Sequence, residues 1–411
     1  MTERFWVETL GCPKNAVDSD KLAGTLVAGG LDPAPSAAEA DLVVVNTCAF
    51  VEAARQESVE VVLELAELAP DARLVVTGCL AERYGPELAE ALPEVQQVAG
   101  FGVPIELGVK PTGPPVPSLD LLELPRPPAS APWAYVKVAE GCDRSCGFCA
   151  IPSFRGRQRS RRPEAVLAEV EALAVPEVVL VAQDLASYGR DQSRPGAIID
   201  LVAEVSARCR RTRLLYLYPS ELDDRLVEAV LATGVPYFDL SLQHASRSLL
   251  RRMRRWGDGG RFAERIATIR SAEPAAALRS SFIVGYPGES EDDHDELLAF
   301  LDEAQLDWAG FFPFSPEEGT FAAGLDGRVP DGLVRERLAE LADLQEGITA
   351  ARRAALVGSP VEVLVDRPGR GRTHREAPEI DGVVAVPQHL AAGEIHTLTV
   401  IGAAGPDLEA A

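Results

Sequence analysis

Short apolar runs alternate with longer amphipathic stretches along most of the chain. In the first hundred residues, "RFWVETLG", "DLVVVNTC" and "ARLVVTGC" read as strands; the last two are rich in valine and uncharged inside, as buried strands are. "SDKLAGTLVAGG" and "AFVEAARQESVEVVLELAEL" between them carry apolar residues at helical spacing. This alternation predicts a parallel sheet covered by helices. From 134 to 345 the strand–helix alternation returns six times, with strands at "AYVKVAEG", "EVVLVAQD", "RLLYLYP", "YFDLSLQH", "LRSSFIVGYPG" and "AGFFPFSP". Six such units predict an incomplete barrel with its chemistry at the carboxyl ends of the strands. Residues 103–133 carry nine prolines and read as an interdomain linker. From Ser359 the pattern changes to short strands, "VEVLVDR", "DGVVAVP" and "EIHTLTVIGA", which predict a small, OB-like β-barrel. The expected fold class is therefore α/β in three parts: an N-terminal parallel α/β sheet domain over 1–118, a central partial (βα)6 barrel over 128–350, and a small C-terminal β-barrel over 353–411.

Composition narrows the function. With 411 residues, 46% apolar and 25% charged, the chain is of ordinary globular type. Its net charge of −23 argues against a surface that coats DNA, though not against a local basic groove. No charged-then-apolar leader opens the chain and no apolar run is long enough for a membrane helix. The expectation is a soluble, cytoplasmic protein with no membrane and no DNA as partner. In that reducing compartment cysteines serve more often as ligands or catalysts than as disulfides.

Six of the seven cysteines form two triplets. "EGCDRSCGFCAIP" places Cys142, Cys146 and Cys149 in C-x3-C-x2-C spacing, just after the first barrel strand. No fourth cysteine or histidine is near; the next histidine is His244. Three thiolates can hold three irons of a cubane 4Fe–4S cluster. The fourth iron is then open to a small molecule with an amine and a carboxylate. A zinc site completed by a distant residue is the alternative; three unligated cysteines are a further one. In the other triplet, Cys12, Cys48 and Cys79 each follow one of the first three strands, at steps of 36 and 31 residues that suit βα units. The carboxyl ends of parallel strands share one crevice, so these thiols can hold a second cluster with an open iron. They also read as three buried small apolar residues. Cys209, late in a helix, reads as having no special role, and the five histidines show no ligand spacing.

"GCDRSCGFCAIP", with the aromatic Phe148 before its last cysteine, resembles the radical S-adenosylmethionine (SAM) signature. The resemblance implies that SAM chelates the open iron and is cleaved to a 5′-deoxyadenosyl radical, within the partial barrel such enzymes share. It further implies SAM contacts at later strand ends, where Gln183, Gln243 and Gly285 match; each also reads as an ordinary strand-end turn residue. "TLGCPKNAVDSD", "NTCAFVEAARQES" and "VTGCLAERY" resemble the N-terminal domain of methylthiotransferases, and the last module is similar to a TRAM domain. What this family implies is two 4Fe–4S clusters, with SAM as both radical source and methyl donor. A methylthio group is inserted into a C–H bond, and the N-terminal cluster holds the sulfur. An electron donor and a sulfur source are then required partners. No catalytic residue beyond the cluster ligands is assigned.

Two branches of the family differ in substrate. One modifies an adenosine beside the tRNA anticodon; the other modifies the β-carbon of an aspartate in small-subunit ribosomal protein twelve, free or in the ribosomal subunit. "GCPKN", "NTCAFVEAA", "LLYLYPSELDD" and "GRTHREAPEIDG" resemble the second, with Asp20 where glutamate is expected. Charge points the same way. From Leu356 onward four arginines and no lysine stand against eight Asp or Glu, a net of −4. An RNA-binding module is expected to be basic, whereas an acidic one complements a basic ribosomal protein. Two arginine-rich stretches, "FRGRQRSRRP" and "RSLLRRMRRWGDGGR", read either as contacts to ribosomal RNA or the SAM carboxylate, or as solvated faces. A reading of another class is a non-catalytic ribosome- or RNA-binding protein with structural metal sites.

Overall fold

The computed structural model describes residues 2–105 and 118–411, which fall into two compact units. The first comprises the chain to Pro128 together with residues 140–143 and 150–158. Its sheet has five parallel strands, β1 (Arg4–Thr9), β2 (Asp32–Pro33), β3 (Leu42–Thr47), β4 (Arg73–Gly78) and β5 (Gln97–Ala99), in the order β2-β1-β3-β4-β5. Helices α1 (Pro13–Ala28), α2 (Glu52–Leu68), α3 (Cys79–Ala91) and the short α4 (Ile151–Arg155) accompany it. The central strand shows why valine runs were legible: Val43 and Val45 enter one buried cluster, while Leu42 and Val44 enter another. Helix α1 begins several residues before its apolar periodicity does. Pro13 sits at its first turn, where a missing N–H costs nothing. Strands β2 and β5 are too short to carry a periodic signal.

Residues 106–117 of the expected linker lie outside the described residues. Residues 118–128 belong to the first unit. The buried Lys21 ammonium donates to the Leu122 carbonyl at 2.7 Å, so this half of the proline-rich stretch is packed chain rather than free spacer.

The second unit holds the rest. Six strands alternate with helices: β6 (Trp133–Lys137), β7 (Glu177–Val181), β8 (Arg211–Leu214), β9 (Tyr237–Gln243), β10 (Ala277–Val284) and β11 (Trp308–Pro313). All pair in parallel, as β6-β7-β8 and β9-β10-β11, and a parallel bridge between Leu217 and Leu240 joins the two runs. This is the partial six-unit barrel expected. After α5 (Asp331–Ala354), five strands of two to ten residues close a second barrel: β12 (Pro360–Arg367), β13 (Arg370–Arg372), β14 (Val384–Ala385), β15 (Ile395–Ala404) and β16 (Asp407–Ala410). Val363, Val365, Val384, Val400 and Leu408 fill it.

The segment after β13 seats on the amino ends of the large barrel's strands. Glu177, the first residue of β7, accepts from Arg213 at 2.8 Å and from Arg372 at 3.0 Å, all three fully buried. The Tyr237 hydroxyl donates to Asp381 and the Trp308 indole to the Arg375 carbonyl, both at 2.6 Å. Ions this deep are tolerated only when each is paired. The carboxyl ends of the same strands are left for chemistry.

Burial works against the Glu177 carboxylate, but Arg372, Arg213 and Arg211 outweigh it and push the group down to about 2. Its folded value thus lies below the unfolded one of about 4.3, so the stabilisation is full above that pH and is lost as pH falls towards 2. Glu177→Ala is expected to cost about 3–5 kcal/mol in chemical denaturation, because two buried guanidinium groups lose a shared carboxylate, Arg372 keeping only that of Asp366. Glu177→Gln is expected to flatten the loss of stability between about pH 4 and 2. A Glu177→Ala chain within about 1 kcal/mol of the parent would contradict this account.

Candidate active site

In the first unit, β1, β3 and β4 are adjacent, with Thr9 opposite Asn46 and Thr47 opposite Gly78. Their carboxyl ends therefore deliver Cys12, Cys48 and Cys79 to one edge of one sheet. Cys12 is the residue before α1 and Cys79 the first of α3. All three are free thiols; Cys48 and Cys79 are buried and Cys12 half-buried. They are close enough to feel each other's charge: Cys12 and Cys79 both raise Cys48. Gly11, at φ +91°, makes the approach possible, since a Cβ there would lie 2.8 Å from Cys48 Cβ and 2.9 Å from its Sγ.

A side-chain amide, a hydroxyl and two cations accompany the thiols at this edge. Asn15 Nδ2 donates to the Leu10 and Thr47 carbonyls at 2.9 and 3.0 Å, and its Oδ1 accepts from Arg155 at 2.7 Å. Ser58 is bonded to both the N–H and the carbonyl of Cys48. Burial raises Cys48 to about 12, and raises Cys79 even with Arg155 beside it. At Cys12 burial is outweighed by Lys14, Arg155 and the N–H groups of Asn15 and Lys14, which hold the thiol below its ordinary value. Three free thiols at one edge, with cations facing them, fit the ligand set of an iron–sulfur cluster. Among the described residues, no three His, Cys, Asp or Glu form a ligand set for a single metal ion. A cubane spreads its thiolates over separate irons.

Cys142 falls in the part of the chain that belongs to the first unit, where its N–H donates to the Gly156 carbonyl at 3.1 Å. Cys146 and Cys149 belong to the second unit, following β6. Gly147 between them is pinned on both sides, its N–H to the Met253 carbonyl and its carbonyl to the Ala322 N–H. Arg255 Nη1 lies 3.3 Å from Cys146 Sγ. The Tyr218 ring is held between Arg255 and Arg144, each 4.0 Å from its centroid. Arg144 is fixed in turn by Asp184, Ser187 and Glu221. Phe148 packs against the barrel core. Gln183 lies just beyond β7, Gln243 is the last residue of β9, at φ +76°, and Gly285 follows β10 at φ +81°. All three thus stand at the carboxyl ends of barrel strands. The Gly285 N–H already donates to Glu289 at 2.6 Å, and Val334 fills the place of a Cβ.

Three family models match consecutive parts of the chain: one described as "Uncharacterized protein family UPF0004" over residues 4–100, the radical SAM superfamily over 136–301, and the TRAM domain over 357–411. A relative from Moorella thermoacetica named ribosomal protein uS12 methylthiotransferase RimO is 44% identical over 402 residues, covering 93% of each chain. One of the same name from Streptomyces coelicolor is 42% identical, covering 98% of this chain and 95% of its own. The chain belongs to the RimO family of radical SAM methylthiotransferases. Among solved structures, the radical SAM methyltransferase TsrM from Kitasatospora setae is similar at 15% identity and a TM-score of 0.49, covering 78% of this chain and 77% of its own.

Sequence reasoning left out several of the polar groups around the cysteines of this methylthiotransferase. Arg155 and Arg255 lie in the two arginine-rich stretches, where solvated faces were one expectation; both are buried, and each donates to a cysteine sulfur. Arg161 is buried too, paired with Glu169. A run of arginines carries no periodic mark telling the buried one from its exposed neighbours. Tyr218 lies in "LLYLYPSELDD", which a pattern search notes without assigning it a partner. No helix among the described residues is long and apolar enough to cross a membrane.

Gly11→Ala is expected to force a left-handed residue into a place already filled by Cys48, at about 1–3 kcal/mol of backbone strain plus the clash. Iron taken up on reconstitution should fall by about four per chain, the content of one cubane. Undiminished iron in a folded Gly11→Ala chain would mean that this edge does not bind a cluster.

Proposed function

We propose that this methylthiotransferase exchanges a C–H bond for a C–SCH3 bond at the β-carbon of an aspartate in small-subunit ribosomal protein twelve, uS12. The observation that carries the reading is the convergence of Cys12, Cys48 and Cys79 on one sheet edge, in a chain that also holds the C-x3-C-x2-C loop of Cys142, Cys146 and Cys149. The substrate rests on relatives named as uS12 methylthiotransferases at 44% and 42% identity, and on the acidic balance of the last module. The functional modules on this reading are 1–118, 128–350 and 353–411, in a cytoplasmic protein.

The first triplet would hold the auxiliary 4Fe–4S cluster and the second the cluster that binds SAM. When bound, these groups supply the sulfur on one side and the electron for reductive SAM cleavage on the other. The electron and the replacement sulfur come from partner proteins or small donors. The chain's own residues position and shield. Arg255 donates to Cys146 and offsets thiolate charge, while Tyr218 and Arg144 hold it in place. Gln183 and Gln243 offer amides at the mouth of the barrel for the polar parts of SAM, with Phe148 beside the loop. Gly285 contributes room and a turn, because its N–H is already engaged.

In a strain lacking this chain, mass spectrometry of uS12 should show loss of the methylthio mass from an aspartate peptide, with tRNA unchanged. Loss from tRNA with uS12 intact would replace this substrate by the anticodon-adjacent adenosine. Zinc without sulfide in the purified protein would favour a binding module with structural metal.

The two triplets should separate the chemistry. Cys142→Ala, Cys146→Ala and Cys149→Ala are each expected to abolish 5′-deoxyadenosine formation. Cys12→Ala, Cys48→Ala and Cys79→Ala are expected to retain it and to lose methylthiolated product. Both products are assayed in one reaction, with iron counted for each variant. Wild-type product from a chain holding only one cluster would show the first triplet to be structural.

A further inference from the structure

Arg155 is buried, its side chain 3% exposed, and its guanidinium meets groups from several parts of the first unit. Nη2 donates to Cys79 Sγ at 3.1 Å and to Asn15 Oδ1 at 2.7 Å. Nη1 meets both carboxylate oxygens of Glu140, at 2.9 and 3.0 Å, and Asp18 at 3.3 Å. Phe101 covers the guanidinium at 4.5 Å. Asn15 carries the effect onward. With its Oδ1 turned to the cation, its Nδ2 binds the carbonyls of Leu10 and Thr47, in the backbone just before Cys12 and Cys48. One guanidinium therefore touches one thiol directly and fixes the strand ends of the other two. Through Glu140 it also holds the segment that carries Cys142, two residues on.

We infer that Arg155 is a positioning residue for the sulfur-carrying cluster, setting its charge balance and joining its site to the Cys142 segment. This rests on the two-cluster reading above. A cubane with three thiolate ligands is anionic, and Asp18 and Glu140 add negative charge beside it. Arg155 is a cation in contact with Cys79 Sγ, and hydrogen bonds to cluster sulfurs and net charge set reduction potential. A guanidinium does this with a planar fork that an ammonium lacks.

The test uses the full chain with Cys142, Cys146 and Cys149 changed to Ala, so that one cluster remains to be read. Iron, sulfide, the EPR spectrum of the reduced cluster and its midpoint potential are measured in this background, and again with Arg155→Met and Arg155→Lys. The Met variant is expected to show a more negative potential and a changed spectrum, because an electron added without the cation is less stabilised. The Lys variant should recover part of the shift, keeping charge without the fork. Loss of the cluster from a Met variant of unchanged melting temperature, with retention in the Lys variant, also supports the role. A Met variant with the potential and spectrum of the background overturns it. Should the Met variant not fold, Arg155→Gln, which keeps hydrogen-bond donors but no charge, is read in its place, and a Gln variant with the potential and spectrum of the background does the same. A background chain that takes up no iron overturns the two-cluster reading itself, and this inference with it, and is told apart by that measurement alone.

Discussion

The direction of the strands is the constraint on which both cysteine sets depend. In a parallel sheet every strand leaves at the same edge, so residues far apart in sequence arrive together if each follows its strand directly. Cys12, Cys48 and Cys79 are brought to one edge by this rule, since β1, β3 and β4 are neighbours, and Gly11 leaves room for Cys48 beside its neighbour. The same rule puts Cys146, Cys149, Gln183, Gln243 and Gly285 at one end of the partial barrel. Such an edge carries backbone carbonyls that strand pairing no longer satisfies. Asn15 answers two of them with one amide, tying the ends of β1 and β3 together beside the thiols.

The second requirement is electrostatic. On the two-cluster proposal the ligands bind as thiolates, yet burial pushes Cys48 and Cys79 towards the neutral thiol. Each triplet has a buried arginine against one of its sulfurs, Arg155 at Cys79 and Arg255 at Cys146. Each arginine is itself constrained: Arg155 by Glu140 and Asp18, Arg255 by the Tyr218 ring. Burying a lone guanidinium would be costly, so the carboxylates and the ring are part of the device.

What was legible in the sequence follows from length and repetition. Valine-rich runs such as "DLVVVNTC" announced buried strands because six consecutive residues are buried on both faces. The six barrel strands were found by their apolar runs between helical stretches, although only some are buried throughout, Glu177–Val181 among them and Trp308–Pro313 not, and the cysteines by their place after strands. Strands of two or three residues, such as β2, β5, β13 and β14, hold too few positions for a period to show. Helix α1 started earlier than its pattern because Pro13 and Lys14 belong to its first turn for backbone reasons. Arg155 and Arg255 could not be picked from their stretches, because what singles each out is a partner more than seventy residues away along the chain. Long-range ion pairs leave no local mark.

The seat of the small barrel alters how the charge of the last module is read. The count of four arginines against eight acids takes every group as exposed. Arg372 and Glu376 are buried, in pairs with Glu177 and Arg353, and the Asp381 side chain is buried beside Tyr237 and Arg279. Setting these aside leaves three arginines against six acids, so the excess of acid belongs to groups that reach towards solvent. The module thus fixes itself to the amino ends of the large barrel through its interior charges and keeps an acidic exterior. An electrostatic surface of that kind favours a basic polypeptide over a polyanion, and it does so by repulsion of the wrong partner as much as by attraction of the right one.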